Sequence, residues 1–346
     1  MPGVGATMRT GKPKVLLEPI YRPMERLFTP EDLRRLRAAA NVVWAVQGEI
    51  PAKELEKHRD AAAIICGWWH HGSPAMFPKL QGVFEVGGNL PSPQYLDYDE
   101  CFRRGITVAS CAPAFGPAVA ELALALTLAC SRTVVETDRA FRRGNERWQF
   151  EANEESFMLF DQTVGFIGFG GLARNLKPLL DPFGVKVLAY DPWLKPSYLR
   201  AQGAEPCGLD ALLRRARVIY VLAIPSPKNR GLLDRRRLSL IRRDATLILI
   251  SRSHLVDFDA LTDMVRRKRF RAGIDVYPKE PLPKSHPIRR APWAVLSSHK
   301  AGAMFEAMHT IGRWTVDDVL AVLKGRKATH MQVAAPKFVA HFKTGR

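Results

Sequence analysis

Cysteine is scarce and unpatterned in this sequence. Cys66, Cys101, Cys111, Cys130 and Cys207 are the only ones in 346 residues, and no two are spaced as C-x-x-C. That excludes a disulfide-framed secreted module, a zinc ribbon and a thioredoxin-type redox motif. The five read as reduced, buried small residues of a cytoplasmic protein. No run of eighteen apolar residues occurs, so no membrane-spanning helix and no membrane partner is expected. The opening stretch MPGVGATMRTGKPK lacks the apolar centre of a secretory signal and reads as a loose tail. Internal repeats and low-complexity tracts are missing too. Acidic residues are the minority: 34 against 52 Lys and Arg, a net charge of +18. A basic balance is one signature of nucleic-acid binding. Here, however, the basic pairs (Arg34-Arg35, Arg142-Arg143, Arg235-Arg236-Arg237, Arg266-Arg267) are scattered beside expected helices, and no nucleic-acid motif accompanies them. A solvated surface is expected, not a nucleic-acid partner.

What is present is an alternation of short apolar runs with helix-like segments. KVLLE, VVWAV, AAIIC, VFEV and ITVAS read as strands of a first series. TPEDLRRLRAA between them reads as a helix, with Thr29 as N-cap and Pro30 in the first turn. A long apolar helix follows from Gly116, at a domain junction. A second series begins at Thr163 with TVGFIG, VKVLAY, VIYVLA, ATLILI, RAGID and AVLSS. Strands alternating with helices predict parallel sheets covered on both faces. The fold class expected is α/β, two Rossmann- or flavodoxin-like parallel-sheet domains with an interdomain cleft. One domain is split, residues 12–116 plus 303–333; the other is 117–302. Residues 1–11 and 334–346 are expected to be flexible tails.

The segment VGFIGFGGLARNLKPLLDPFGVKVLAYDPW is the most informative. A strand runs into Gly168-x-Gly170-x-x-Ala173 and a helix follows. Gly168 permits the tight turn, Gly170 lets backbone approach a pyrophosphate, and Ala173 is small enough for helix to pack on strand. The helix N-terminus offers free N–H groups to phosphates. Asp191, 23 residues after Gly168, ends the next strand. An acid there suits the ribose hydroxyls of NAD and repels a 2′-phosphate. A nicotinamide enzyme also needs an anion clamp and a proton donor at strand carboxyl ends. Arg252 after ATLILIS, Glu280 after RAGIDVYPK and His299 after AVLSS stand there.

With SRSHLVD, DVYPKEPL and HKAG in these places, and AVAELALAL at the junction, the chain resembles the D-isomer-specific 2-hydroxyacid dehydrogenase family over about Lys14 to Lys324. The resemblance implies Arg252, Glu280 and His299 as catalytic residues. Arg252 would hold the carboxylate or carbonyl of a 2-oxo acid through its planar guanidinium. His299 would be the acid/base, and Glu280 would orient it. Asp275 would lie near the nicotinamide amide. Gly171, Leu172, Pro225 and Ile250 would join Gly168, Gly170 and Asp191 around NAD. The resemblance further implies a small-molecule 2-oxo or 2-hydroxy acid substrate and a homodimer.

Several places depart from the family pattern. Ser253 replaces the usual glycine after the arginine, and His254 follows it. The early glycine segment EVGGNLPSPQYLD is longer than in relatives, where it lends amides to the substrate carboxylate, so Gly87 and Gly88 carry that role over loosely. Trp68 and Trp69 in CGWWHHGSP follow a strand of the first series and would face the substrate or pack in a core. Adjacent side chains rarely converge on one ion, so His70-His71 is not expected to bind metal, and no metal site is expected elsewhere. Two other functions stay open: an NAD-sensing corepressor-like regulator without turnover, or a dehydrogenase of the same scaffold acting on phosphonate, phosphite or formate.

Overall fold

The computed structural model describes residues 11–342. The chain divides into two compact units: the residues up to Phe115 together with those from Phe305 onward, and Gly116–Met304 between them. Each unit has its own sheet and its own apolar core.

In the first unit the strands are β1 (Lys14–Glu18), β2 (Asn41–Val43), β3 (Ala63–Cys66), β4 (Gly82–Glu85) and β5 (Thr107–Ser110), joined near the end of the chain by β13 (Gln332–Val333). Their order is β13-β5-β4-β3-β1-β2, parallel except for β13. β1, β3 and β4 are almost wholly buried, as continuous apolar runs in a two-sided parallel sheet should be. Thr29 caps the Pro30–Ala39 helix, accepting from the Asp32 amide, as its sequence predicts. The Phe305–Leu323 helix buries Ile311, Val316 and Val319 in the same core as Val15, Leu17 and Phe84. The segment from 334, expected as a loose tail, instead forms a short helix, Pro336–Val339, and buries Ala334 and Val339 against Leu96 and Tyr98. Residues 1–10 of the other expected tail lie outside the described residues.

The second unit carries β6 (Thr163–Ile167), β7 (Lys186–Tyr190), β8 (Glu205–Pro206), β9 (Val218–Val221), β10 (Thr246–Leu249), β11 (Arg271–Ile274) and β12 (Ala294–Leu296). They form one sheet in the order β12-β11-β10-β9-β6-β7-β8, all parallel. The order reverses between β6 and β9, which places the ligand crevice of such a sheet at their carboxyl ends. Ala112–Ser131 is long and apolar enough to cross a membrane by length and composition, but half of it is buried in the protein. Thr127 on it hydrogen-bonds the buried Tyr220 hydroxyl at 2.8 Å. A Cβ at Gly273 of β11 would meet Leu126 of the same helix at 3.0 Å, so glycine is what lets helix and sheet approach.

Candidate active site

The nucleotide end of the second unit follows from its glycines. Gly168 has φ +91, and a Cβ there would stand 2.6 Å from the Ala223 Cα, so no other residue fits. Added Cβ atoms at Gly170 and Gly171 would meet nothing within 4 Å. That open space lies over the start of the Gly171–Leu180 helix, whose N-cap Gly170 supplies no capping side chain. The first amides of that helix are therefore available to an anion. Ala173 is fully buried against the sheet, and Leu172 is half-buried. Asp191 accepts from the Phe169 amide at 2.8 Å and the Trp193 amide at 2.9 Å. Its carboxylate is thus fixed beside the glycine turn. Ile250, 3 % exposed, and half-buried Pro225 follow β10 and β9 at the same sheet edge. These residues fit NAD: room at the loop, free amides, and an acid at the ribose position.

Arg252, Glu280 and His299 follow β10, β11 and β12, three adjacent strands, so the sheet delivers all three to one edge. Neighbouring strands stand about 4.8 Å apart, which puts the β10 and β12 ends about 10 Å from one another. His299 Nδ1 lies 2.5 Å from Glu280 Oε2, and the other carboxylate oxygen accepts from the Tyr277 amide at 2.8 Å. The acid is held by backbone at one oxygen and the imidazole at the other. His299 takes φ 51, a left-handed conformation uncommon for a residue with a side chain. What holds it there is Asp275, fully buried, whose two oxygens accept from the Lys300 amide at 3.1 Å and the Ala301 amide at 3.2 Å. The Asp275 carboxylate thus clamps the HKAG turn, a contact that spacing alone does not reveal. Lys300 itself is exposed.

Arg252 is partly buried and donates from Nη1 to the Ser251 carbonyl at 2.8 Å. Ser253 opens a 3-10 turn, Ser253–Leu255, so the missing glycine costs no left-handed strain. His254 turns to the Ser226 carbonyl at 2.9 Å and ties the β10 loop to the β9 loop.

The first unit also departs from expectation. The amides of Gly87, Gly88 and Asn89 donate to the chain's own Glu85 carboxylate at 2.8, 2.9 and 3.0 Å. Gly87 and Gly88 therefore wrap an internal acid, and a Cβ at Gly87 would fall 2.3 Å from that carboxylate. Burial raises the Glu85 carboxyl to about 8, against the opposing pull of the three amides. Trp69 is 2 % exposed, donates to the Gly72 carbonyl at 2.9 Å and belongs to the core, which removes it from the substrate-facing set. Trp68 is 40 % exposed and stacks on Tyr21, ring centroids 5.4 Å apart. His70 and His71, set aside as a metal pair, converge on Glu18. The signal for that was a lone acid ending an otherwise apolar, buried strand.

Comparison with known proteins agrees with this architecture. Residues 124–301 match the family model described as D-isomer specific 2-hydroxyacid dehydrogenase, NAD binding domain. A D-3-phosphoglycerate dehydrogenase of Mycobacterium leprae is 32% identical over 72% of this chain and 46% of its own length. The chain thus spans about half the length of that relative. A glyoxylate reductase of Thermofilum pendens is 30% identical over 87% of this chain and 90% of its own. The crystal structure of a phosphoglycerate oxidoreductase from Rhizobium etli superposes with a TM-score of 0.81 at 31% identity, covering 94% of this chain and 99% of that one.

Proposed function

Since the chain belongs to the D-isomer specific 2-hydroxyacid dehydrogenase family, we propose that it moves a hydride between NAD(H) and a small D-2-hydroxy acid or its 2-oxo acid. The observation that carries this is the His299–Glu280 pair at 2.5 Å, one strand from Arg252, on the sheet whose other half bears the glycine turn. NAD(H) supplies the hydride; the chain's own residues handle charge and protons. Arg252 binds the substrate carboxylate or carbonyl. His299, with Nδ1 committed to Glu280, gives a proton from Nε2 to the carbonyl oxygen in reduction and takes one from the hydroxyl in oxidation. Glu280 fixes the tautomer and, held by the Tyr277 amide, keeps the ring in place. Asp191 favours NAD over its 2′-phosphorylated form.

The test is NADH oxidation by the purified protein with a panel of 2-oxo acids, glyoxylate and 3-phosphohydroxypyruvate among them. Turnover with at least one is expected, and His299→Ala should lower kcat by ~10²–10⁴ while NADH still binds. NADH binding without turnover on any acid would leave the regulatory alternative standing. A homodimer belongs to the same proposal, supported by the exposed aromatics Phe141, Trp148 and Phe150 in the second unit, and light scattering checks it. So does a cytoplasmic setting, supported by five cysteines that are all free.

A further inference from the structure

The first unit holds a polar cluster that the proposed reaction does not use. Glu18 ends β1, level with Cys66 at the end of the neighbouring β3, and its side chain is fully buried. The segment leaving β3 carries His70 and His71 back to that carboxylate. His70 Nε2 lies 3.0 Å from Oε1 and His71 Nε2 lies 2.9 Å from Oε2. The two imidazole centroids are 4.2 Å apart, and one ligand atom from each of the three residues falls within 4.8 Å of the others. Adjacent histidines converge here because Trp69 between β3 and the pair is buried and tied to Gly72, which curls the loop.

A hydrogen-bonded triad is the plain alternative, and two observations weigh against it. The His71 side chain is fully buried; its Nδ1 has no hydrogen-bond partner among the described residues, and its Nε2 meets Glu18 Oε2 at 2.9 Å as an ion-pair contact outside ideal hydrogen-bond alignment. The two atoms are in contact without being aligned as donor and acceptor, the relation expected of two ligands to one ion. Buried polar atoms without partners are uncommon in folded proteins, and a cation would satisfy Glu18 Oε2 and one of the two His71 nitrogens. The second observation is the location. The strand order β2-β1-β3-β4-β5 reverses between β1 and β3, and the carboxyl ends at such a reversal are where open parallel sheets bind ligands. His70 and His71 there line an open cleft of about 600 Å³ with Glu49, Ile50, Pro51 and Met76.

We propose that Glu18, His70 and His71 form a site for a borderline divalent transition-metal ion, of which Zn²⁺ is the type. Two imidazoles and one carboxylate suit Zn²⁺ or Co²⁺ and do not suit Mg²⁺ or Ca²⁺, which take oxygen. Oε1 of Glu18 already accepts the Ile50 amide, so Oε2 is the ligand oxygen, oriented by that outer contact. Bonds of about 2.1 Å in a tetrahedron need ligand atoms roughly 3.4 Å apart. That separation lies between the 2.9 Å contact and the 4.8 Å limit of the cluster. Water from the cleft completes the fourth position. The ion ties the end of β1 to the loop that presents Trp68, and so fixes the Tyr21–Trp68 stack.

The test uses the full chain, stripped with a chelator and titrated with Co²⁺ and then Zn²⁺. One Co²⁺ per chain with the visible absorption of a four-coordinate ion is expected, displaced by Zn²⁺ and not by Mg²⁺. His70→Ala and His71→Ala should each weaken binding about 100-fold or more, while His309→Ala, at an exposed position, should not change it. Should a variant fail to fold, X-ray absorption on the Co²⁺-loaded wild type decides: two imidazoles in the coordination shell support the site. A six-coordinate oxygen shell, binding below one ion per chain, or affinity unchanged in a folded His70→Ala variant would overturn it.

Discussion

His299 owes its geometry to two acids acting differently. Glu280 meets the ring, and Asp275 clamps the two amides that follow, so a residue at φ 51 is held without glycine's freedom. Glu280→Gln keeps the shape but replaces the carboxylate oxygen that meets His299 Nδ1 with an amide that cannot hold the ring in the same way. Its kcat for 2-oxo acid reduction should fall by about ten-fold or more with KM little changed, measured by NADH absorbance. A rise in KM at constant kcat would instead make Glu280 a binding residue. A second acid gives a prediction about stability. Burial lifts the Glu85 carboxyl from its ordinary 4.5 to about 8. Between those values the folded protein holds a proton that the unfolded chain has lost. The stability Glu85 contributes is therefore complete below pH 4.5 and drains away as pH rises toward 8. At the steepest the loss is about 1.4 kcal/mol per pH unit. Glu85→Gln, which cannot ionise, should gain on the wild type between pH 5 and pH 8, read by hydrogen exchange in β4 and β5 across a denaturant series. Parallel curves for the two proteins would mean that Glu85 is charged in the fold throughout.

At the scale of elements, the two glycines of the turn before the Gly171–Leu180 helix serve different ends. Gly168→Ala puts a methyl 2.6 Å from the Ala223 backbone at a φ of +91, so it should lower the Tm and weaken NADH binding together. Gly170→Ala meets nothing and keeps an extended N-cap, so the Tm should hold while the Kd for NADH rises, by calorimetry. Equal losses of Tm in both would contradict this division. The strands were legible because buried parallel strands are continuous apolar runs: KVLLE, AAIIC and ITVAS fall on β1, β3 and β5. VVWAV was less so, since β2 stops at Val43 where Trp44 and Ala45 turn to positive φ, which no apolar pattern foretells. β8 and β13, two residues each, are too short to have a period. That Arg252, Glu280, His299 and the glycine turn stand at the carboxyl ends of strands in one sheet was legible because each follows its strand with local spacing. The Glu85 ring of amides and the Glu18–His70–His71 cluster were not, because both depend on how loops fold back after their strands.

Across the whole molecule the surplus of positive charge has a structural form. In the second unit single aspartates are shared by two arginines: Asp210 by Arg236 and Arg237, Asp244 by Arg217 and Arg242, Asp263 by Arg235 and Arg267. Each such group keeps a net positive charge while its members are fixed to one another. Among the described residues these groups lie on separate helices and strand ends and do not line up along one helix. What a distributed basic field does is raise the local concentration of small anions, and NADH and every 2-oxo acid are anions. The Debye length is about 10 Å at 0.1 M salt and roughly 3 Å at 1 M. KM for both should therefore climb as ionic strength rises over that range, while kcat stays level, as the contact-distance roles proposed for His299, Glu280 and Arg252 require. Steady-state kinetics in a neutral-salt series measures it. Duplex DNA should bind weakly and without sequence preference, lost at the same salt. A KM indifferent to salt, beside tight binding to one DNA sequence modulated by NADH, would shift the function of this basic surface from gathering substrate to regulation.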